Sequence, residues 1–138
     1  EGVEVEGPNN GKILKGIDID MKTFSDQALT MAAISIFAEG DTNIRNIGHI
    51  RKQESDRLSA MAAELKRMGI ECEEKEDSIT IHPGIPSPCL IETYDDHRVA
   101  MAFTLAGLVS EGIEIKNPMC CRKTFENYFD VIESLYLK

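Results

Sequence analysis

Acids and bases gather at four places along the 138-residue chain: at Asp26, through His49-Ile50-Arg51-Lys52-Gln53-Glu54-Ser55-Asp56-Arg57, at Asp95-Asp96-His97-Arg98, and at Arg122-Lys123. Each place stands at the start of a helix-like pattern. Helix N-termini offer unpaired N–H groups and the positive end of the peptide dipole, so they suit anions such as phosphate and carboxylate. Arginine adds a planar fork for the same groups, and lysine a movable charge that also carries a proton. If Arg57, Arg98 and Lys123 converge, each like-charge pair costs about 4 kcal/mol at about 4 Å and an effective dielectric near 20. A multiply charged anion relieves that repulsion, so the chemistry to look for is an anion-binding catalytic site.

The same residues have plainer uses. On a wheel of about 100° per residue, Glu54 and Arg57 share a stripe with Leu58, Met61 and Leu65, while Asp56 points the other way. The two charges either form an i,i+3 ion pair or line a pocket at the helix mouth, because unpaired buried charge is too costly to keep. Asp26 and Asp96 can serve as helix caps, and Arg98 can pair with Asp95 across the first turn. Lys123 can be a solvated loop residue, and His97 reads as a structural donor rather than a base.

The elements that would position these residues follow from periodicity. Val3 and Val5 read as a strand-like start, Gly7 to Gly11 as a turn, and Ile13, Leu14, Ile17 and Ile19 as short strands broken at Gly16, with a loop over 18–22. Ser25 or Asp26 caps a helix over 28–38 that is apolar nearly all round and rich in alanine. A strand over 42–47 leads to an amphipathic helix over about 55–68, whose apolar face is Leu58, Met61, Ala62, Leu65 and Met68. Strands over 70–74 and 78–82 meet at Glu76-Asp77, and Pro83, Gly84, Pro86 and Pro88 hold a loop. A second buried helix over about 97–109 follows Asp95-Asp96, then a strand over 113–116. Thr124 caps a last helix with the stripe Phe125, Tyr128, Phe129, Ile132, Leu135 and Tyr136. The order of acid, buried helix, Glu-Gly, strand, turn and amphipathic helix occurs twice, which predicts two copies of one supersecondary unit.

Composition sets the outer limits. With 42% hydrophobic and 28% charged residues the chain reads as one globular domain. A net charge of −9 without a basic tail argues against nucleic acid or an anionic membrane as partner. No apolar run approaches about 18 residues and no leader pattern is present, which gives a cytoplasmic expectation. The first residue is Glu1, which reads as a piece of a longer protein. Cys72, Cys89, Cys120 and Cys121 form no C-x-x-C pair and read as reduced thiols; His49, His82 and His97 have no ligand spacing with them, so no metal is expected.

Four motifs carry a family resemblance: Asp26-Gln27-Ala28-Leu29-Thr30-Met31, Gln53-Glu54-Ser55-Asp56-Arg57, Asp95-Asp96-His97-Arg98-Val99-Ala100-Met101 and Lys123-Thr124-Phe125-Glu126-Asn127-Tyr128-Phe129. In order and spacing they resemble the C-terminal part of the 5-enolpyruvylshikimate-3-phosphate synthases, from about Ile13 onward. The enolpyruvyl transferases of peptidoglycan synthesis share that fold, but the Asp-His-Arg and Lys-Thr-Phe stretches favour the shikimate enzymes.

The resemblance implies an α/β fold of repeated β-α-β-α-β-β units with buried parallel helices, part of one domain of a two-domain enolpyruvyl transferase. The chain would hold about two units, near 12–84 and 89–138, without the N-terminal partner domain. The implied reaction transfers the enolpyruvyl group of phosphoenolpyruvate to the 5-hydroxyl of shikimate 3-phosphate and releases phosphate, with no metal or organic cofactor. By similarity Asp26 contacts the shikimate hydroxyls and is the base, and Glu54 and Lys123 are candidates for proton transfer. Arg57, Arg98 and Lys123 match residues that bind phosphoenolpyruvate, where glyphosate competes. Gln53 stands where lysine is usual, with Lys52 one residue earlier, and His49 stands near an asparagine that some members direct at shikimate 3-phosphate. Glu126 and Asn127 replace residues that are often proline and aspartate. The fragment alone is expected to be inactive. The competing class is a non-catalytic anion-binding module, which would gain nothing from Asp26 and Glu54 beside its cations.

Overall fold

Small residues set how closely the two central helices can lie. In the computed structural model of the chain, residues 1–4 and 14–136 are described. Helix α1 (Ala28–Ser35) buries Ala28, Leu29, Ala32, Ala33 and Ser35, and α3 (His97–Gly107) buries Val99, Ala100, Ala102, Phe103 and Ala106. Alanine faces let the two helices pack directly together, with their starts on the same side of the molecule: Asp26 before α1 reaches Arg98 in the first turn of α3.

Around this pair, β1 (Asp18–Asp20), β2 (Thr42–Arg45), β3 (Cys72–Glu74) and β4 (Ile79–Ile81) form a sheet in the order β1-β2-β4-β3. β1 runs parallel to β2 with Ile19 opposite Ile44, and the other pairs are antiparallel. Helix α2 (Arg57–Arg67) lays Leu58, Met61 and Leu65, each 0% exposed, into the same core. β5 (Cys89–Ile91) and β6 (Ile113–Ile115) form a separate parallel pair, and α4 (Tyr128–Tyr136) closes the described chain.

The same backbone turns flank β2 and β6. Gly40 (φ 84) and Gly112 (φ 76) precede β2 and β6, and Asn46 (φ 58) and Asn117 (φ 48) follow them. Each asparagine leads into a short 3-10 helix, Gly48–Lys52 or Pro118–Lys123, and each of these leads towards an amphipathic helix. Gly16 is required by close approach: a Cβ there would collide with the carbonyl oxygens of Gly40 and Asp41.

Several expectations are corrected. The polar run over 18–22 is in part the strand β1, because Asp18 accepts from Asn43 and Arg45, and Asp20 from Asn46, across the exposed face. β5 was not foreseen, being three residues without alternation. Neither Ser25 nor Asp26 caps α1; a 3-10 helix over Ser25–Gln27 precedes it, and Gln27 at the cap position makes no side-chain bond. Thr124 closes the preceding 3-10 helix, and α4 begins at Tyr128. Val3 lies in irregular chain and Leu135 is exposed. The expectations for Val5, for the turn over 7–11 and for Ile13 lie outside the described residues, as does the side chain of Tyr136.

Candidate active site

Helix α2 begins on Arg57 because Asp56 caps it, accepting from the Ser59 N–H at 2.9 Å, while Arg51 holds the same carboxylate from outside at 3.2 Å. The apolar face of α2 fixes the helix against the core, and the Arg57 side chain, 5% exposed, is carried inward. Its Nε and Nη2 donate to Oδ2 and Oδ1 of Asp96 at 2.8 and 3.2 Å. Nη1 donates to Gln53 Oε1 at 2.6 Å and lies 3.6 Å from Asp26 Oδ1.

Asp96 is 0% exposed and caps α3 through the Arg98 N–H at 3.0 Å; it also accepts from Ser55 Oγ at 2.9 Å. Burial alone pushes its carboxyl up. The Arg57 guanidinium, the Arg98 amide and the Ser55 hydroxyl outweigh burial and hold it below the usual carboxylate range.

Glu54 lies between two partners. Lys123 Nζ donates to its Oε1 at 2.7 Å, and His97 Nδ1 sits 3.0 Å from its Oε2 without the alignment of a hydrogen bond. The Lys123 hydrogen bond lowers the Glu54 carboxyl against the effect of burial, with His97 adding to it, and the same bond raises the Lys123 ammonium. Asp26 bridges two cations, Arg98 Nη2 at 3.2 Å and Arg57 Nη1 at 3.6 Å.

The cations therefore alternate with acids rather than facing one another bare. A cavity of about 240 Å³ opens beside them, lined in part by Asp26, Gln27, Thr30, His97 and Arg98. α2 and α3 start on side-chain caps, whereas α1 continues from the 3-10 helix Ser25–Gln27, so that the Ala28 N–H donates to the Ser25 carbonyl. A larger apolar cavity of about 790 Å³ between α3, β6 and α4 contains none of the acids or cations of the site.

Six of the residues singled out by type and spacing meet here or at its rim: Asp26, Gln53, Glu54, Arg57, Arg98 and Lys123. His49 lies to one side, its Nε2 2.7 Å from Ser25 Oγ. The plainer uses hold in part and fail in part. Arg98 pairs with Asp26 and not with Asp95, which accepts from Asn117 instead. Lys123 is ion-paired, and the Glu54–Arg57 pair is loose at 3.9 Å because Arg57 is turned to Asp96. Asp96 is a cap as expected, but its role as the main partner of Arg57 was missed, as were the bonds of Ser55 to Asp96 and of Ser25 to His49; pairings over 24 to 41 residues leave no local signal.

Glu54, Asp96 and His97 place ligand-type atoms within 4.8 Å of one another. Both Asp96 oxygens already accept from Arg57, Ser55 and the Arg98 N–H, and Glu54 is held by Lys123. A metal ion there would have to displace two cations from their acids, so the donor set fits organic anion chemistry better.

Comparison with known proteins agrees with this geometry. The sequence profile described as EPSP synthase (3-phosphoshikimate 1-carboxyvinyltransferase) matches residues 2–132. A relative from Nostoc punctiforme named 3-phosphoshikimate 1-carboxyvinyltransferase is 52% identical over 126 residues, which is 91% of this chain and 29% of that protein. One from Halalkalibacterium halodurans, named 3-phosphoshikimate 1-carboxyvinyltransferase 2, is 44% identical over 135 residues, 96% of this chain and 30% of its own length. A solved EPSP synthase of Acinetobacter baumannii superposes with a TM-score of 0.82 at 31% identity, covering 90% of this chain and 31% of that one. The enolpyruvyl transferase NikO from Streptomyces tendae shares the fold, with a TM-score of 0.71 at 22% identity over 91% of this chain and 29% of NikO. The chain thus spans about 30% of the length of the relatives it matches. With a family profile that runs almost end to end and a fold that matches a solved member, the chain belongs to the EPSP synthase family.

Proposed function

We propose that this chain is the C-terminal portion of one domain of a two-domain enolpyruvyl transferase, made of repeat units near 12–84 and 89–138. Together with the remainder of that protein it transfers the enolpyruvyl group of phosphoenolpyruvate to the 5-hydroxyl of shikimate 3-phosphate, in the cytoplasm. The observation that carries this reading is the meeting of Asp26, Glu54, Arg57, Arg98 and Lys123, from four separate segments, in one cluster of which Asp26 and Arg98 line a cavity.

The chemistry divides among these residues. The carboxylate and phosphate of phosphoenolpyruvate compete for the guanidinium donors of Arg57 and Arg98, and that competition frees Asp26 from its two cations. Asp26 then takes the proton of the acceptor hydroxyl as its oxygen bonds to C2 of phosphoenolpyruvate. The methylene carbon receives a proton from the Lys123–Glu54 pair, which gives a tetrahedral intermediate. Return of a methyl proton to that pair expels phosphate and restores the double bond. Raised Lys123 and lowered Glu54 keep the resting pair as ammonium and carboxylate, so Lys123 is the resting proton carrier. By family resemblance His49 and Gln53 are assigned to the acceptor, and the N-terminal domain supplies the rest of its contacts.

The test is phosphate release from the two substrates, by the full-length polypeptide that encloses this chain and by the chain alone. Turnover by the full-length protein with little or none from the chain is expected. No phosphate release from the full-length protein contradicts the proposal.

A further inference from the structure

Two consecutive non-glycine residues in the left-handed region, Tyr94 (φ 55) and Asp95 (φ 53), join β5 to α3. The Asp96 N–H donates to the Thr93 carbonyl at 2.8 Å, which makes residues 93–96 a tight turn with both central residues left-handed. Asn-Gly and Gly-Gly adopt such a turn readily, and a Tyr-Asp pair resists it. Local sequence and local structure disagree here, which is the mark of a strained or functional position.

The turn is held from outside. Glu64, on α2 and 0% exposed, accepts from the Tyr94 hydroxyl at 2.7 Å and from the Glu92 N–H at 3.0 Å. Arg67 Nε closes its remaining side at 2.9 Å. From the opposite flank Asn117 donates to Asp95 at 3.2 Å, and Thr93 Oγ1 donates to the Lys116 carbonyl at 3.0 Å. Burial, and after it the Glu64 carboxylate, push the Tyr94 phenol up to about 12, so the hydroxyl stays a donor at neutral pH. None of these groups lines the cavity, yet all act on the residues immediately before Asp96, His97 and Arg98.

We infer that Glu64 and Tyr94 are positioning residues: the Glu64 carboxylate clamps the left-handed Tyr94-Asp95 turn against α2, and the clamp aims Asp96 at Arg57 and sets His97 and Arg98 beside the cavity. Without the clamp the turn relaxes towards right-handed backbone, and the first turn of α3 moves with it. The geometric part of this inference stands on the chain itself; its effect on catalysis rests on the function proposed above.

Tyr94→Phe keeps the ring and removes only the donor. In the 138-residue chain, the Arg57 Nε–H is followed by nitrogen-resolved NMR, since its bond to buried Asp96 slows exchange with water. Exchange about tenfold faster, with α1 amide exchange unchanged, is expected from losing one bond to a charged acceptor. Tyr94→Gly also lacks the donor but holds left-handed backbone without strain, so it is expected to show a clearly smaller acceleration than Tyr94→Phe. An unchanged Arg57 Nε–H in Tyr94→Phe, or an acceleration there matched throughout α1 and α2, overturns the inference. In the full-length enzyme Tyr94→Phe is expected to raise the KM for phosphoenolpyruvate more than it lowers kcat. If Arg57→Lys leaves that KM unchanged, the functional reading fails while the NMR result still decides the clamp.

Discussion

The Arg57 guanidinium grips both carboxylate oxygens of Asp96, at 2.8 and 3.2 Å, and so ties the first residue of α2 to the cap of α3. Both groups are almost wholly inside the protein, at 5% and 0% exposure. The pair does two jobs at once: it satisfies a buried charge, and it leaves the outer edge of the guanidinium, Nη1, turned towards Gln53 and Asp26.

Asp96→Asn keeps the shape and removes the charge that neutralises Arg57. Breaking one side of a buried pair is expected to cost about 3 kcal/mol of stability. Urea denaturation of the chain and the variant measures it, and a loss within about 0.5 kcal/mol, as for an ordinary surface substitution, would show that Asp26, Gln53 and Glu54 suffice to hold Arg57.

Acid should act through the same group. The Asp96 carboxyl titrates lower in the folded chain than its ordinary 3.8, so the unfolded chain binds its proton first as pH falls. Its stabilising contribution is fully present above that ordinary value and is lost as pH drops through the folded one. Unfolding free energies measured from about pH 5 to pH 2 should therefore fall less steeply in Asp96→Asn than in the unaltered chain. Parallel curves would contradict this assignment.

Glu54→Gln separates a catalytic site from a simple anion binder. It removes the carboxylate between Lys123 and His97 while keeping the size of the side chain. In the full-length enzyme kcat should fall about 100-fold or more, the usual contribution of a positioned proton donor or acceptor, with a smaller change in KM for phosphoenolpyruvate. Unchanged turnover would favour the binding-only reading.

Arg57→Lys is not a mild change at a two-toothed contact. Lysine cannot hold Asp96 and present a second donor towards Gln53 and Asp26 at once. The KM for phosphoenolpyruvate is expected to rise about tenfold, as for the loss of one charge-assisted hydrogen bond. Steady-state kinetics against phosphoenolpyruvate check it, and equal KM values would place the substrate elsewhere.

What could be read from the sequence was what repeats locally. The stripe of Leu58, Met61 and Leu65, the alanine-rich α1 and α3, and the twice-used order of elements are periodic signals, and the packed helices follow from them. Residue type and family motif together singled out Asp26, Glu54, Arg57, Arg98 and Lys123, which do meet. Who pairs with whom was not legible. Arg98 chose Asp26 over its neighbour Asp95 because the left-handed turn sends Asp95 towards Asn117. β1 was hidden in a polar run because its charges are satisfied across the sheet, by residues some 25 to 27 positions away. The Glu64 clamp left no trace at all, since a glutamate in an amphipathic helix reads as solvated until burial is known.

The most direct measurement is an NMR titration of the chain with phosphoenolpyruvate, observing backbone amides together with arginine Nε–H signals. Saturable shifts confined to the surroundings of Asp26, Arg57, Arg98 and Lys123 are predicted, because the Arg57–Asp96 pair already builds that half of the site. Saturating ligand that leaves those signals in place, or moves signals elsewhere, would contradict an anion site carried by this chain.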